Sequence, residues 1–125
     1  MGLDQYFYTT SKELVDDIRS VYNAGHRPTI EFVLDHLFDC RREDFYQRKN
    51  WPLDSILIDR CQPLVGNDDS VYVIPKETIK ELSKIKRFSN VSKEDSDRVV
   101  YAIQALASIY NEMNDLSTML YLRSY

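Results

Sequence analysis

The stretch that decides the fold is Ser92 to Tyr125, SKEDSDRVVYAIQALASIYNEMNDLSTMLYLRSY. From Lys76 onward the chain has no Gly and no Pro, so nothing obligatory interrupts a helix. Ser92 is a good N-cap residue. Glu94, Asp95 and Asp97 put negative charge on the first turn, where the helix dipole favours it. Behind them Val99, Ile103, Leu106, Tyr110, Met113 and Leu120 recur in steps of four and three, with Ser117 in the one small polar slot. That is close to the 3.5-residue repeat of a helix-packing seam. Ala102, Ile109 and Leu116 widen the seam on one side, Val100 and Ala107 on the other. The spacing predicts one long helix over 93–123.

Such a helix has a size problem. About thirty residues at ~1.5 Å each span about 45 Å. A compact chain of this length has a radius of gyration near ~14 Å and so a diameter of about 36 Å. The helix would overhang its own domain. It must bend near Asn111 and Asn114, or cover its end with a partner protein or a second copy of the chain. Leu120, Tyr121 and Tyr125 would then form an apolar, partner-binding end, and a homodimer through this helix is the matching expectation.

The 125 residues predict one domain spanning 1–125, large enough to fold unaided. Sixteen basic and twenty acidic side chains leave a net charge of −4, which argues against broad nucleic-acid binding but leaves room for a local basic patch. Cys40 and Cys61 form no CxxC pair, and no signal peptide precedes Leu3, so the expected location is a reduced cytoplasm. No apolar run approaches the length of a membrane span.

Working back toward the start, Leu3 to Thr9 alternates with aromatics on both sides and reads as a strand. Thr10 with Glu13 forms a capping box for a helix whose apolar face is Leu14, Val15, Ile18, Val21 and Tyr22. Thr29 opens a second helix with Ile30, Val33, Leu34, Leu37 and Phe38 inward. Arg41 to Lys49 reads as a charged loop leading into a short strand. Asn50 caps a third helix with Pro52 in its first turn and Leu53, Ile56 and Leu57 inward. Gly66 to Asp69 is a turn, Ser70 to Ile74 a β-branched strand, and Pro75 opens a fourth helix ending near Phe88. The sum is an α+β domain dominated by four or five helices, with about three short strands.

The opening Met1-Gly2-Leu3-Asp4-Gln5-Tyr6, the segment Tyr46-Gln47-Arg48-Lys49 and the turn, strand and helix from Asp68 to Leu82 carry a resemblance. In this order they resemble a group of small uncharacterised proteins encoded by bacteriophages and prophages. That group begins Met-Gly-Leu-Asp-Met-Tyr and has a central Tyr-Trp-Arg-Lys segment running into a helix. The likeness covers the first ten residues and about Phe45 to Leu82. Here Gln5 replaces Met, Gln47 replaces Trp, and Asp54 stands where a His usually follows, so that His has no counterpart. The resemblance implies a phage or prophage origin, in an infected or lysogenic bacterium, and no known reaction.

Candidate chemistry is sparse. His26 lies in a turn beside Arg27. His36 and Cys40, four apart on a helix, could form one edge of a metal site but have no second ligand pair nearby. No Gly-rich phosphate loop, GxSxG or HExxH motif occurs, so neither catalysis nor a cofactor is expected. Basic residues are more suggestive. Lys76, Lys80, Lys84 and Arg87 run at four, four and three along the fourth helix, a stripe that could meet phosphates or simply be its solvated face. Arg48 and Lys49 sit beside Tyr46 and the only Trp, Trp51, a common interface composition. Nine tyrosines exceed what a core of this size comfortably buries. The resulting expectation is a non-catalytic protein that binds and occludes a host or defence protein through Tyr46 to Trp51, the end of the long helix, or both. The alternative is a nucleic-acid-binding accessory protein using the basic stripe.

Overall fold

The computed structural model describes residues 2–23, 45–67 and 69–124. Among them are five strands, β1 (Asp4–Ser11), β2 (Phe45–Arg48), β3 (Gln62–Pro63), β4 (Val71–Ile74) and β5 (Ser117–Ser124), and four helices. The helices are α1 (Lys12–Asn23), α2 (Trp51–Arg60), α3 (Lys76–Leu82) and α4 (Lys93–Glu112). The strands form one antiparallel sheet in the order β2-β1-β5-β4-β3. The α+β class is as expected, but the sheet has five strands rather than about three. The expected helix from Thr29, with His26, His36 and Cys40, lies outside the described residues.

The largest correction concerns the C-terminus. The long helix does not run over 93–123: α4 ends at Glu112, and 117–124 is β5, the central strand of the sheet. Two features break the helix. Met113 leaves helical geometry with ψ 147°, and the Asn114 side chain then accepts hydrogen bonds from Leu116 N (2.9 Å) and Ser117 Oγ (3.1 Å). The Asn114 carbonyl accepts from Ser117 N at 3.1 Å, closing a turn that competes with the helix for the same backbone groups. Beyond the turn the chain alternates across the sheet. Met119 and Tyr121 enter one core, Leu120 and Leu122 the other. A strand buried on both faces presents a continuous apolar run, which periodicity alone does not separate from a buried helix. The overhang therefore does not exist, and with it goes the structural reason for expecting a dimer through that helix.

One face of the sheet is covered by α2, α3 and α4. Phe7, Tyr72, Ile74, Met119 and Tyr121 pack there against Leu53, Leu57, Ile79, Leu82, Val99, Ile103 and Leu106. The opposite face packs Tyr8, Val71, Leu120 and Leu122 against Val15 and Ile18 of α1 and against Leu64 and Val65. Phe7 and Tyr121 stack across β1 and β5 at 4.9 Å, a geometry worth about 0.5–1.5 kcal/mol beyond its buried area.

Helix termini follow local chemistry. The start of α1 is one residue later than expected: Ser11 Oγ, not Thr10, accepts from Leu14 N (3.1 Å), because β1 continues through Ser11 in register with β5. Asn50 caps α2 as expected, its side chain accepting from Leu53 N. The helix opened by Pro75, α3, stops at Leu82, well short of the expected Phe88, where Ser83 Oγ donates to the Lys80 carbonyl at 2.7 Å and draws the chain into a tighter turn. Gly66 adopts φ +49°, and a Cβ there would sit 2.2 Å from the Tyr22 hydroxyl.

Candidate functional site

Helix α2 organises the chemistry of the molecule, because its two sides do different things. Its inward side carries Asp54, which occupies a buried position between Leu53 and Leu57. Arg123 of β5 meets it with two parallel bonds, Nε to Oδ1 at 2.7 Å and Nη2 to Oδ2 at 2.8 Å, both side chains 4% exposed. Tyr121 donates its hydroxyl to Asp54 Oδ1 at 2.6 Å, and Gln5 Nε2 donates to that hydroxyl at 3.0 Å. Gln5 also grips both backbone groups of Asn50, accepting from its N–H (2.8 Å) and donating to its carbonyl (3.1 Å). Asn50 Nδ2 then reaches Gln47 Oε1 at 3.2 Å.

At its other end the network reaches solvent. Arg123 Nη1 donates to the Asp69 carboxylate (2.7 Å) and carbonyl (3.0 Å), and Tyr72 donates to the same carboxylate at 2.7 Å. The Tyr72 hydroxyl bond and the Arg123 guanidinium hold the Asp69 carboxyl below its ordinary range, while burial and the Asp69 carboxylate push the Tyr72 phenol up to about 12. Burial and the bond to Asp54 raise Tyr121 as well. Every buried side-chain polar atom among the described residues has a partner. Such a network specifies structure and leaves little capacity for a ligand. Gln5, Gln47 and Asp54 all lie in it.

The outward side of α2 forms one wall of a groove of about 860 Å³. Trp51, Pro52, Ser55, Ile56 and Asp59 line it from the helix. Facing them is the irregular segment between α3 and α4, which contributes Ile85, Arg87, Phe88, Ser89, Asn90 and Val91. Lys49 and Asp95 complete the rim. Ile56, Ile85 and Phe88 pack onto the main core below, so the floor is fixed. Phe88 is held further by its N–H donating to the buried Ser96 Oγ at 2.8 Å. Trp51 stays 46% exposed despite its size.

Two interactions orient the groove. Arg98 of α4 donates to the Arg48 carbonyl at 2.9 Å, placing the first turns of α4 beside the Lys49–Trp51 end. Arg60 and Glu81 lie 4.0 Å apart, an exposed pair marking the Asp59 end, where α2 stops. Lys49 adopts φ +54° while its N–H donates to the Leu3 carbonyl at 2.7 Å. This left-handed step lets β2 reverse directly into α2, at about 1–2 kcal/mol for a residue with a Cβ.

The expected site residues are regrouped by this geometry. Tyr46 does not share a surface with Trp51: it points to the α1 side of the sheet, with its ring 5.2 Å from Tyr6 and its hydroxyl donating to Asp4 at 2.5 Å. That bond raises the Tyr46 pKa. Arg48, exposed, alternates with Gln47 on the same strand, whereas Lys49 and Trp51 line the groove. Leu120 and Tyr121 are fully buried inside this chain and are not at a partner-binding helix end. Tyr125 lies outside the described residues.

The basic stripe is likewise divided. Lys76 and Lys80 are on α3, but Lys84 and Arg87 follow its end, and Arg87 joins the groove. The tyrosines are absorbed more fully than their number suggested, since Tyr8, Tyr72, Tyr110 and Tyr121 are buried. Tyr110 donates to the Ile74 carbonyl and accepts from Met119 N, which satisfies its hydroxyl inside the core.

Sequence reasoning missed Ile85, Phe88 and Val91 as groove residues, and Gln5, Asp54 and Arg123 as a network. A signal for the second existed: a carboxylate on the apolar face of α2 and an Arg inside an apolar run are charges in need of each other. Among the described residues no group of three or more His, Cys, Asp or Glu side chains could hold a metal ion, and no helix is long and apolar enough to cross a membrane. Burial pushes the Cys61 thiol up to about 11. Fold and site together define an α+β domain with an open antiparallel sheet and, among the described residues, a groove lined by Trp51, Ile56, Ile85 and Phe88 that carries both cations and carboxylates. No family model, no curated protein and no solved structure matches the chain.

Proposed function

We propose that the protein acts as a non-catalytic docking module that seats a segment of another protein in the groove between α2 and the 83–91 segment. The observation that supports this reading is the half-exposed Trp51 above a fixed apolar floor of Ile56, Ile85 and Phe88, with charges confined to the rim. Aromatic anchors over desolvated pockets with a polar rim are where binding energy concentrates in protein interfaces. The phage-protein resemblance makes a bacterial host or defence protein the partner of choice, and blocking its surface the mode of action.

The test is a photo-crosslinking residue placed at Ser55 inside the groove, compared with one at Tyr101 outside it, in lysate of the source bacterium with nuclease present. A single protein crosslinked from position 55, absent from position 101 and lost in the folded Trp51→Ala variant, is the expected outcome. Equal labelling from both positions would reject the groove as the working surface. Capture that depends on nucleic acid would favour the alternative of a nucleic-acid accessory protein.

A further inference from the structure

We infer that Lys49 to Pro52, where the chain enters the groove wall, is a latched strap: it swings on Lys49 as a unit while the sheet stays folded, and the Gln5 side chain is its latch. The inference goes beyond the docking function and does not depend on what the groove takes, since every readout below is of the chain alone.

The strap lies between two fixed points. Before it, Phe45 packs on the main core and the Arg48 carbonyl accepts from Arg98 of α4. After it, Leu53 is fully buried and Asp54 is paired with Arg123. Among the described residues, none of the four in between belongs to either apolar core. Lys49 and Trp51 are exposed, Pro52 is partly buried, and only Asn50 is sealed from water. Segments with so little apolar burial open locally, below the free energy of global unfolding.

Polar groups hold the strap instead. Gln5 Oε1 accepts from the Asn50 N–H at 2.8 Å and Gln5 Nε2 donates to the Asn50 carbonyl at 3.1 Å, so one amide takes both backbone groups of one residue. Nε2 also donates to the Tyr121 hydroxyl, whose own proton is turned toward Asp54. That arrangement fixes the Gln5 amide, because a flipped amide would set donor against donor at the Asn50 N–H. The Leu3 carbonyl adds a bond from the Lys49 N–H at 2.7 Å.

Backbone strain works against the latch. Lys49 holds φ +54°, a left-handed conformation that disfavours a residue with a Cβ. With the latch closed, its bonds outweigh the strain. When they break, Lys49 relaxes and the strap leaves, carrying Lys49, Trp51 and Pro52 away from the groove they line. The groove then alternates between a formed and an open state.

Native-state amide exchange of the full chain, followed by NMR, tests this. The Lys49 and Asn50 amides should exchange through an opening that hardly responds to sub-denaturing urea, whereas Leu120 and Tyr121 of β5 exchange by global unfolding. Gln5→Leu removes both bonds to Asn50 and should speed exchange at Lys49 and Asn50 at least about tenfold. Lys49→Asn, which tolerates left-handed backbone better, should slow it about threefold. Val15→Ala, in the opposite core, should speed the β5 amides and leave the strap unmoved. A urea slope at Lys49 and Asn50 equal to that at Tyr121 would overturn the strap, as would equal acceleration of strap and β5 by Val15→Ala. Strap exchange unmoved by Gln5→Leu would overturn the latch, and exchange unchanged or faster in Lys49→Asn the hinge. If Gln5→Leu does not fold by circular dichroism, the urea slope of the parent and Lys49→Asn decide.

Discussion

The two sides of α2 use similar residue types to opposite ends. Inward, Asp54, Arg123, Tyr121 and Gln5 spend their hydrogen-bonding capacity on one another. Outward, Lys49, Trp51 and Arg87 surround a groove whose floor is packed and whose charges face water. The difference lies in solvation. A charge sealed from water must be fully paired, and breaking it strands its partner; a charge on a rim costs little to keep and little to lose. The inner side is therefore read through stability, and the outer side through binding.

The sharpest way to break the comparison is Arg123→Met. It leaves Asp54 buried without its counter-ion and should cost about 3–5 kcal/mol, read as a lower urea midpoint at unchanged slope. Next, Gly66→Ala forces a side chain into left-handed backbone against Tyr22 and should cost about 1–3 kcal/mol, measured the same way. Tyr121→Phe keeps the stacking on Phe7 but removes one bond each from Gln5 and Asp54, so a loss of about 1–3 kcal/mol is expected. A Tyr121→Phe protein as stable as the parent would show that the network is not cooperative.

Asp69 lies where the network meets water, with its side chain 68% exposed, and it sharpens the comparison through pH. Its folded-state pKa is depressed, first by Tyr72 and then by Arg123. Its stabilising contribution is therefore present above the ordinary carboxylate value near about 4 and is lost as pH falls through the folded-state value. Asp69→Asn should thus lower the urea midpoint at pH 7 and converge with the parent in acid. At the small end, Arg87→Gln should change stability by no more than about 0.5 kcal/mol, because Arg87 is exposed beside the groove. A large stability loss there would place Arg87 with the inner network.

Much of the local structure was legible. The Asn50 cap, the β1 alternation, the Gly66 turn and the Val71–Ile74 strand each rest on neighbours within a few residues. Sequence placed Lys49, Trp51 and Arg87 among the candidates but could not bring them together, because Arg87 reaches the groove only after α3 ends early. Tyr46 misled because β2 ends at Arg48 and the left-handed step at Lys49 turns the chain into α2, so Tyr46 lies against Tyr6 while Trp51, five residues on, lines the groove.

What the sequence by itself determined was the class of the domain, its start in a strand and most helix beginnings; it offered a bend near Asn111 and Asn114 only as one way out of an overhang, and the break after Glu112 was not fixed by the expected helix over 93–123. The conformation of the chain beyond that break was decided by tertiary structure alone. Residues 117–124 carry a continuous apolar run that suits a buried helix or a buried strand equally. The choice goes to the strand because β1 and β4 lie on either side with unpaired backbone groups, and β5 satisfies both edges while filling two cores at once. Pairing between the first and last strands, more than a hundred residues apart in sequence, leaves no local trace, and neither does a groove whose walls meet only after the chain has folded.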